Sequence, residues 1–524
     1  MINIIPMPSE YKINDGFFTG FENLTLKSDF DLPLLKCPRG ENSRLIIIKE
    51  PSFEAEEYTL DIDKDRIEIK ASSKTGAYYA LQSLRQLCRA ELGENKAPCC
   101  HIKDKPVFKW RGLQLDESRH FFGKDGVKRF LDHMFMMKLN VFHWHLTDDQ
   151  GWRIEIKKYP LLTEKGSVRE YTQINGWHSS ELVNERYEGF YTQDDIREIV
   201  EYACERGIMI VPEIDFPAHC ASAIAAYPWL ACKELFREVP GYFGGLIPER
   251  KLNIKDWNRP ICPGKDRTVE FIFDVIDEVC DLFPAPYFHI GGDEAPKDEW
   301  KKCPCCQQRI KENNLKNEED LQGWLNNQIL AHIKDKGKSL IGWNEILKAG
   351  NLDKSIIGQY WTPQRDKNAE RFVNNGGRLI MSNHHSFYFD MTYAQYPLKN
   401  TYDYKPEDFG VNKDNIKNVL GVEGENWTEW IDSLDMLDCR LHPRMEALAE
   451  VAWTPEVKRN WSSFLSRLEG FKPYYEYLGI NYAVDSVSMP KGIIKRANIQ
   501  KKFFKGDTHL ELKLNKKYKA QGEK

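Results

Sequence analysis

No stretch of the chain approaches the roughly 20 consecutive apolar residues that a helix needs to cross a bilayer. Residues 1–8 also lack the basic and apolar segments of a secretory signal. These two absences predict a protein without a membrane span that works in the cytoplasm. A mature form trimmed from a secreted precursor would begin in the same way, so the second expectation depends on how the chain is processed.

An excess of positive charge is also missing. The 74 Lys and Arg residues are outnumbered by 79 Asp and Glu residues, which gives a net charge of -5 and a pI near 6.3. Proteins that bind nucleic acids mostly carry a basic surface, so no nucleic acid is expected as a partner. The composition, 41% hydrophobic and 29% charged, is that of a globular protein.

The cysteines do not indicate a disulfide framework. The 13 residues are mostly scattered and their number is odd, which favours reduced thiols over paired ones. The only cluster is Cys303, Cys305 and Cys306, and the sequence offers no second pair at the spacing of a zinc ribbon. Structural thiols are therefore the preferred interpretation of this cluster, and neither a metal nor another cofactor is expected.

The chain, with 524 residues, is too long for one ordinary core, and its pattern changes at residues 104–106. Residues 1–104 are expected to form an α+β domain. Their short alternating segments predict strands at 44–49, 58–62 and 66–71, followed by a helix at 74–91. Residues 471–524 form an extension whose fold the sequence does not indicate.

From residue 105 to about 470, apolar strands alternate with amphipathic helices. Eight strands are predicted, at 112–116, 140–146, 208–214, 287–291, 339–343, 356–361, 378–382 and 419–423. Helices are expected between or after them, for instance at 124–137, 193–206, 268–282 and 443–453. The pattern predicts an α/β fold in which a (β/α)8 TIM barrel follows a smaller α+β domain.

The fourth predicted strand leads through Gly291 and Gly292 into two adjacent carboxylates, Asp293 and Glu294. Two neighbouring carboxyls cannot both ionise cheaply, so one can stay protonated near neutral pH and act as a general acid. The alternative is an ordinary surface pair in which both ionise. Active sites of such barrels lie at the C-terminal ends of the strands. The residues at the other strand ends therefore help to decide between a catalytic pair and a surface pair.

Carboxylates, one arginine, histidines and aromatic side chains recur at the ends of the predicted strands. They are Asp116, Arg119, His145, Asp148, Glu213, Asp215, His219, Asp293, Glu294, Trp343, Glu345, Trp361, Tyr388, Asp390, Trp427 and Glu429. The apolar face of a sugar ring stacks on tryptophan, while its hydroxyls need partners such as Arg and Asp. This set favours a carbohydrate substrate.

Four motifs occur in order: WRGLQLDESRHF at 110–121, HWHLTDDQ at 143–150, VPEIDFPAH at 211–219 and HIGGDE at 289–294. Together they resemble the family 20 glycoside hydrolases, the β-N-acetylhexosaminidases. The resemblance covers about residues 1–470 and implies an exo-acting, retaining enzyme that removes terminal β-linked GlcNAc or GalNAc from oligosaccharides or glycoconjugates. At 217–219 the chain has Pro-Ala-His where the family often has Pro-Gly-His, a change that costs little unless residue 218 needs positive φ.

The resemblance assigns the chemistry to the carboxylate pair. It implies that Glu294 protonates the leaving oxygen and that Asp293 holds the acetamide nitrogen and its developing positive charge. The acetamido oxygen of the substrate attacks the anomeric carbon and gives an oxazolinium intermediate, so no second carboxylate nucleophile is needed. The family is a recognised exception to the two-carboxylate pattern of glycosidases.

The same resemblance implies a sugar pocket around the pair. Arg119 and Glu429 would bind the 3- and 4-hydroxyls, while Asp148 and His219 would support the catalytic pair from below. The other positions are Trp343, Trp361 and Trp427 as walls of the acetamide pocket and the sugar, Tyr388 for the acetamide oxygen and Asp390 for a ring hydroxyl.

Two other classes compete with this interpretation. A metal-dependent hydrolase could use His145, Asp148, His219 and Asp293, but no His-x-x-x-His or similar spacing organises them. A sugar-binding protein without activity is disfavoured because binding alone does not require the acid Glu294. The sequence leaves open the aglycone, the choice between GlcNAc and GalNAc, and the oligomeric state.

Overall fold

The computed structural model describes residues 2–234, 237–243, 246–247, 252–253 and 260–523. A six-stranded sheet comes first, built from β1 (Glu10–Phe18), β2 (Leu26–Ser28), β3 (Leu45–Lys49), β4 (Tyr58–Ile62), β5 (Ile67–Ala71) and β6 (Ala97–Asp104). The strand order is β1-β6-β4-β5-β3-β2. Pairing is antiparallel from β1 to β5 and parallel from β5 to β2.

The helix Lys74–Cys88 covers one face of this sheet. Ser73 caps its N-terminus by accepting the Gly76 N–H at 3.1 Å. The sequence predicted a longer helix, which ends early because Arg89 takes a left-handed conformation with a φ of 47°. Strands β3, β4 and β5 were predicted from their alternation of apolar and polar residues. Strand β1 was not predicted, because most of its side chains are exposed.

Eight parallel strands form the barrel that the sequence predicted. They are β7 (Trp110–Asp116), β8 (Val141–His145), β9 (Met209–Glu213), β10 (Tyr287–His289), β11 (Ser339–Trp343), β12 (Ile357–Tyr360), β13 (Leu379–Met381) and β14 (Val419–Gly424). The barrel closes where β14 pairs with β7. All eight predicted strands are confirmed. Four of them are shorter than predicted by one residue at each end, β10 is shorter by two residues at its C-terminal end, β11 has the predicted bounds, and β7 and β14 are longer.

Helices cover the outside of the barrel. They are Gly123–Met136, Leu161–Glu164, Gln193–Glu205, Ala221–Ala226, Asp266–Leu282, Pro304–Glu312, Glu318–Lys334, Lys367–Asn374, His384–Phe387, Leu398–Tyr402, Leu434–Leu441 and Arg444–Trp453. Strand pairs in the loops are Thr147–Asp148 with Gly151–Trp152, Val168–Arg169 with Tyr187–Glu188, Thr172–Gln173 with Leu182–Val183, and Leu246–Ile247 with Leu252–Asn253. The longest helices bury one stripe each, as Phe271, Val275 and Val279 show on Asp266–Leu282.

The sheet and the barrel share a buried polar contact. Lys138 is fully buried, and its Nζ donates to Tyr58 Oη and Ser83 Oγ, both at 2.8 Å. The same ammonium lies 3.5 Å from Asp104 Oδ2 and 4.6 Å from the ring centre of Trp453. Burial lowers the pKa of Lys138 to about 8, so its charge depends on these partners.

Residues 4–7 lie between the two parts. Ile5 exchanges two backbone hydrogen bonds of 2.8 Å with the Gln86 side chain. Met7 donates its N–H to Glu450 Oε2 at 2.9 Å, and Arg467 Nη1 donates to the Ile4 carbonyl at 2.9 Å. The first residues therefore connect the sheet to helices that follow the last barrel strand.

The C-terminal part is helical, with Trp461–Tyr477, Asp485–Ser488, Ile493–Phe504 and Leu510–Ala520. This answers what the sequence left open for the extension. Glu511 is buried, pairs with Arg440 and accepts the N–H groups of Tyr393 and Ala394 at 3.1 Å, which attaches the last helix to the barrel. Within the described part of the chain, no helix is both long and apolar enough to pass through a bilayer.

Candidate active site

The barrel brings the eleven residues singled out from the sequence to one face. Trp343 is the last residue of β11 and the others follow a barrel strand. Contacts link them into one group: Arg119, Asp148, His219, Asp293, Glu294, Trp343, Trp361, Tyr388, Asp390, Trp427 and Glu429. The sequence placed them on separate loops, and closure of the barrel makes those loops neighbours.

The carboxylate pair stands on a strained turn after β10. Gly291 and Gly292 have φ values of 64° and 93°, and Glu294 itself has a φ of 47°. A Cβ on Gly291 would lie 2.0 Å from Asp215 Oδ1, so only glycine fits there. The Glu294 N–H donates to the Glu345 carboxylate, which holds the turn. Left-handed non-glycine residues are costly and cluster at functional sites.

His219 connects the pair to a deeper layer. Its Nδ1 lies 3.3 Å from Asp148 Oδ1 and 3.4 Å from Asp149 Oδ2, and its Nε2 lies 3.7 Å from Asp293 Oδ2 and 3.6 Å from Glu294 Oε2. Burial opposes a charge on the ring, but these carboxylates outweigh it and hold the pKa of His219 well above its usual range. An imidazolium therefore sits beside the catalytic pair.

The Pro-Ala-His departure at 217–219 leaves this placement intact. The residue with positive φ is His219, at 51°, and Ala218 lies outside the left-handed region. An alanine is therefore compatible with the turn.

The two carboxyls of the pair have pKa values shifted in opposite directions. Burial, with the nearby charge of Glu294, raises the pKa of Asp293 to about 7. The contact with His219, 3.6 Å away, lowers the pKa of Glu294, whose side chain is 50% exposed. These opposite shifts favour a proton on Asp293 over one on Glu294.

Asp215 supports the pair from beneath. It is buried, and its carboxylate accepts the Gly292 N–H at 3.1 Å. Its own backbone N–H donates to Thr147 Oγ1 at 3.1 Å. Burial and the neighbouring Asp293 raise its pKa well above the usual range. The sequence placed Asp215 at a strand end without giving it a role.

Arg119 is held in a fixed orientation after β7. Its guanidinium donates to Asp116 Oδ2 at 3.0 Å and to Gln150 Oε1 at 3.0 Å, and pairs with Asp148 Oδ2 at 2.8 Å. The guanidinium carbon lies 5.2 Å from the ring centre of Trp427. Burial opposes the charge, yet the surrounding carboxylates keep the pKa of Arg119 well above its usual range.

Aromatic rings form the walls of the site. Trp343 is buried, and its ring centre lies 5.8 Å from that of Trp427. The ring centres of Trp427 and Tyr388 are 6.5 Å apart. Trp361 stacks on Tyr388 at 6.0 Å with 28° between the planes. Trp361 Nε1 and Asp293 Oδ1 are buried atoms without a hydrogen-bond partner among the described residues, so a ligand with polar groups fits there.

Two further carboxyls complete the rim of the site. Burial and the neighbouring Glu429 raise the pKa of Asp390 well above its usual range. Burial also raises the pKa of Glu429, although the nearby charge of Arg119 opposes this shift. Burial therefore opposes ionisation of both carboxyls.

A buried polar layer lies inside the barrel beneath this site, and sequence reasoning missed it. Glu213 Oε1 accepts from Trp343 Nε1 at 2.9 Å, while His143 and His289 lie 3.0 Å from the same carboxylate. His143 also contacts Glu423 at 2.7 Å. This layer fixes the floor of the site. Its signal in the sequence was limited to His143 and His145 at alternate positions of β8 and Glu213 at the end of β9.

The metal-hydrolase alternative is not favoured by this geometry. Asp148 Oδ2 is already occupied by Arg119 at 2.8 Å and by His145 at 2.9 Å. A guanidinium at that distance competes with a divalent ion for the same oxygen and repels it.

Comparison with known proteins decides the family. The chain matches the family description "Glycosyl hydrolase family 20, catalytic domain" over residues 108–456 and "Glycosyl hydrolase family 20, domain 2" over residues 36–105. The chain belongs to glycosyl hydrolase family 20. The family 20 resemblance of the four motifs is thereby confirmed.

The relatives of this family 20 chain include bacterial proteins. A beta-hexosaminidase of Porphyromonas gingivalis is 37% identical across 94% of this chain and 65% of the relative. A beta-hexosaminidase of Vibrio furnissii is 34% identical across 77% of this chain and 66% of the relative, so the chain spans slightly less than two thirds of both. The crystal structure of the family 20 exo beta-N-acetylglucosaminidase from Vibrio harveyi with N-acetylglucosamine has a TM-score of 0.80 and 31% identity, covering 92% of this chain and 78% of that one.

Proposed function

We propose that this family 20 protein is an exo-acting, retaining β-N-acetylhexosaminidase that hydrolyses terminal β-linked GlcNAc or GalNAc through substrate assistance. The observation that carries the proposal is the left-handed turn after β10, which sets Asp293 and Glu294 within 3.7 Å and 3.6 Å of the charged His219. The names of the relatives, beta-hexosaminidase and exo beta-N-acetylglucosaminidase, support the same substrate class.

In this proposal each group acts on one part of the sugar. Glu294 donates a proton to the leaving oxygen, and ionised Asp293 holds the acetamide N–H as positive charge develops. Trp343, Trp361 and Tyr388 confine the acetamide so that its oxygen reaches the anomeric carbon. No protein nucleophile is required, because the substrate supplies it.

Substrate binding must move the shared proton. The opposite pKa shifts favour the proton on Asp293, whereas catalysis needs it on Glu294. A sugar that covers the half-exposed Glu294 raises its pKa by burial, while an acetamide N–H that donates to Asp293 favours the ionised form there. The pair therefore reaches its working protonation state only with an N-acetyl sugar in place.

One assay tests the proposal directly. The protein should release nitrophenol from p-nitrophenyl N-acetyl-β-glucosaminide with and without EDTA, and NMR of early product should show the β-anomer. Appearance of the α-anomer, or initial cleavage of internal chitin bonds, would contradict a retaining exo-enzyme. Loss of activity on addition of EDTA would favour the metal hydrolase.

We expect the pH dependence of kcat/KM to depend on Asp293. Activity requires one proton on the pair, and the last proton leaves Asp293 with a pKa of about 7, so kcat/KM should fall as the pH rises through about 7. In Asp293→Asn this alkaline limb should move to lower pH, because Glu294 then titrates alone beside His219 with a lowered pKa. A limb that stays near 7 in the variant would assign it to another group.

We also expect Arg119→Lys to lose activity although the charge is kept. The planar guanidinium binds two hydroxyls at once, and an ammonium cannot. The loss in kcat/KM should be about 1.5–3 kcal/mol, the range for a hydrogen bond to a charged group. The exposed Arg197 is the matched control, since Arg197→Lys should leave kcat/KM unchanged.

A 4-deoxy substrate completes a double-mutant cycle for Arg119. If Arg119 binds the 4-hydroxyl, the variant and the deoxy sugar should lose less together than the sum of their separate losses. Simple addition of the two losses would show that Arg119 does not contact this hydroxyl.

A further inference from the structure

Four cysteines from separate parts of the chain converge beside the active-site loops. Cys262 Sγ lies 3.5 Å from Cys306 Sγ and 3.7 Å from Cys303 Sγ, and Cys232 Sγ lies 3.8 Å from Cys306 Sγ. All four sulfurs lie within 4.8 Å of one another. Cys262, Cys303 and Cys306 are buried, and Cys232 is partly buried.

We propose that Cys232, Cys262, Cys303 and Cys306 bind one zinc ion as four thiolates. Structural zinc takes four ligands in a tetrahedron with Zn–S bonds of about 2.3 Å, which separates the sulfurs by about 3.8 Å. Three of the six sulfur–sulfur separations are 3.5–3.8 Å, close to this edge length. The cluster is thus already arranged around one central point.

The alternatives fit these sulfurs less well. A disulfide needs a bond of about 2.05 Å, and all 13 cysteines of the chain are free. Four neutral thiols would offer one another only weak hydrogen bonds, so they give no strong reason for four sulfurs to meet at one point. A shared metal ion supplies that reason.

The local structure resembles that of other zinc sites in its spacing. Cys303 and Cys306 form a C-x-x-C pair across the start of the helix Pro304–Glu312, where free backbone N–H groups stabilise thiolates. Cys262 donates its N–H to the Leu230 carbonyl at 2.7 Å, next to the antiparallel bridge that brings Cys232 alongside. This is the second pair that the sequence analysis did not find, because it is assembled by folding.

Positive and apolar groups surround the cluster. Lys265 donates its Nζ to the carbonyls of Trp229 and Ala231 at 3.0 Å and 2.8 Å, which places a cation near the net negative charge of four thiolates and Zn²⁺. The rings of Trp300 and the side chain of Leu321 pack against the cysteines and are fully buried. Such a shell excludes water from the ion.

The ion would join the two loops that carry the catalytic machinery. Ile261 donates its N–H to the Pro217 carbonyl at 2.9 Å, two residues before His219. Trp300, in the loop that follows Glu294, donates its Nε1 to the Ile261 carbonyl at 3.0 Å. A metal that ties Cys262 to Cys303 and Cys306 therefore holds the His219 loop against the Glu294 loop.

The full-length protein provides the test, with Cys306→Ser as the variant and Cys305→Ser as its control. Cys305 lies in the same motif but is exposed and outside the cluster. After purification without chelator, mass spectrometry of metals should find about one zinc per chain in wild type and Cys305→Ser, and a clear loss in Cys306→Ser. Thermal unfolding of Cys306→Ser should also begin at lower temperature than that of the control.

A second measurement needs no variant and so does not depend on whether Cys306→Ser folds. X-ray absorption at the zinc edge of wild type should show only sulfur neighbours at about 2.3 Å. A protein that holds no zinc after incubation with ZnCl₂, iron in its place, oxygen or nitrogen in the first shell, or a Cys232–Cys306 disulfide in peptide mapping would each overturn the proposal.

Discussion

If the proposed function holds, the Glu294→Gln variant should lose roughly 10²–10⁴-fold in kcat/KM on substrates with poor leaving groups. Glutamine keeps the shape of the side chain but cannot donate the proton that the leaving oxygen needs. The loss should be much smaller on an activated aryl glycoside, because a stable leaving group departs without protonation. Steady-state kinetics on a chitobiose-like and a dinitrophenyl substrate measure the two effects.

Asp298→Asn is a suitable control for this experiment. Asp298 lies on the same loop, but its side chain is 78% exposed, and we expect no change in kcat/KM with either substrate. Equal losses on both substrates in Glu294→Gln would assign the role of acid to another residue. His219, which contacts the same carboxyl, would then be the first candidate.

Removal of Asp104 should destabilise the protein by about 3–5 kcal/mol, the range for breaking a buried ion pair by taking away one partner. Asp104→Ala leaves Lys138 buried between the sheet and the barrel with only two hydroxyl partners. It also removes the acceptor for the Trp453 Nε1, at 2.9 Å. Urea denaturation followed by circular dichroism measures the free energy of unfolding.

Asp61→Ala tests whether this cost comes from burial. Asp61 lies on the same sheet and pairs with His101 at 2.6 Å, but both side chains are at least 40% exposed. Exposed pairs contribute at most about 1 kcal/mol, so this variant should unfold close to wild type. Similar losses in the free energy of unfolding for Asp61→Ala and Asp104→Ala would show that burial does not add to the cost of removing the carboxylate.

The barrel could be predicted because its strands are buried on both faces. Such strands read as short apolar runs, and helices with one buried stripe separate them. The strand β1 could not be found in this way, since its side chains are mostly exposed and it depends on β6 for its hydrogen bonds. Pairing partners, unlike apolar runs, are not visible in a single sequence.

The candidate site also has features that the sequence predicts and features that it does not. Residues at strand ends, such as Asp293 and Arg119, could be found because the fold dictates where strand ends meet. The contacts of Glu213 with His143 and Trp343 could not, because they join strands that are far apart in the chain. The opposite pKa shifts of Asp293 and Glu294 also required the position of His219.

The position of residues 4–7 has a consequence for synthesis on the ribosome. The N–H of Met7 bonds to Glu450, 443 residues further along the chain. At about 5–20 residues per second, the partner leaves the ribosome roughly 20–90 seconds after Met7 does. The N-terminal sheet and the contact of Ile5 with Gln86 can form early. The bonds of Met7 to Glu450 and of Ile4 to Arg467 must wait until those partners have left the ribosome, so a chaperone that binds nascent chains has a long interval in which to meet this segment.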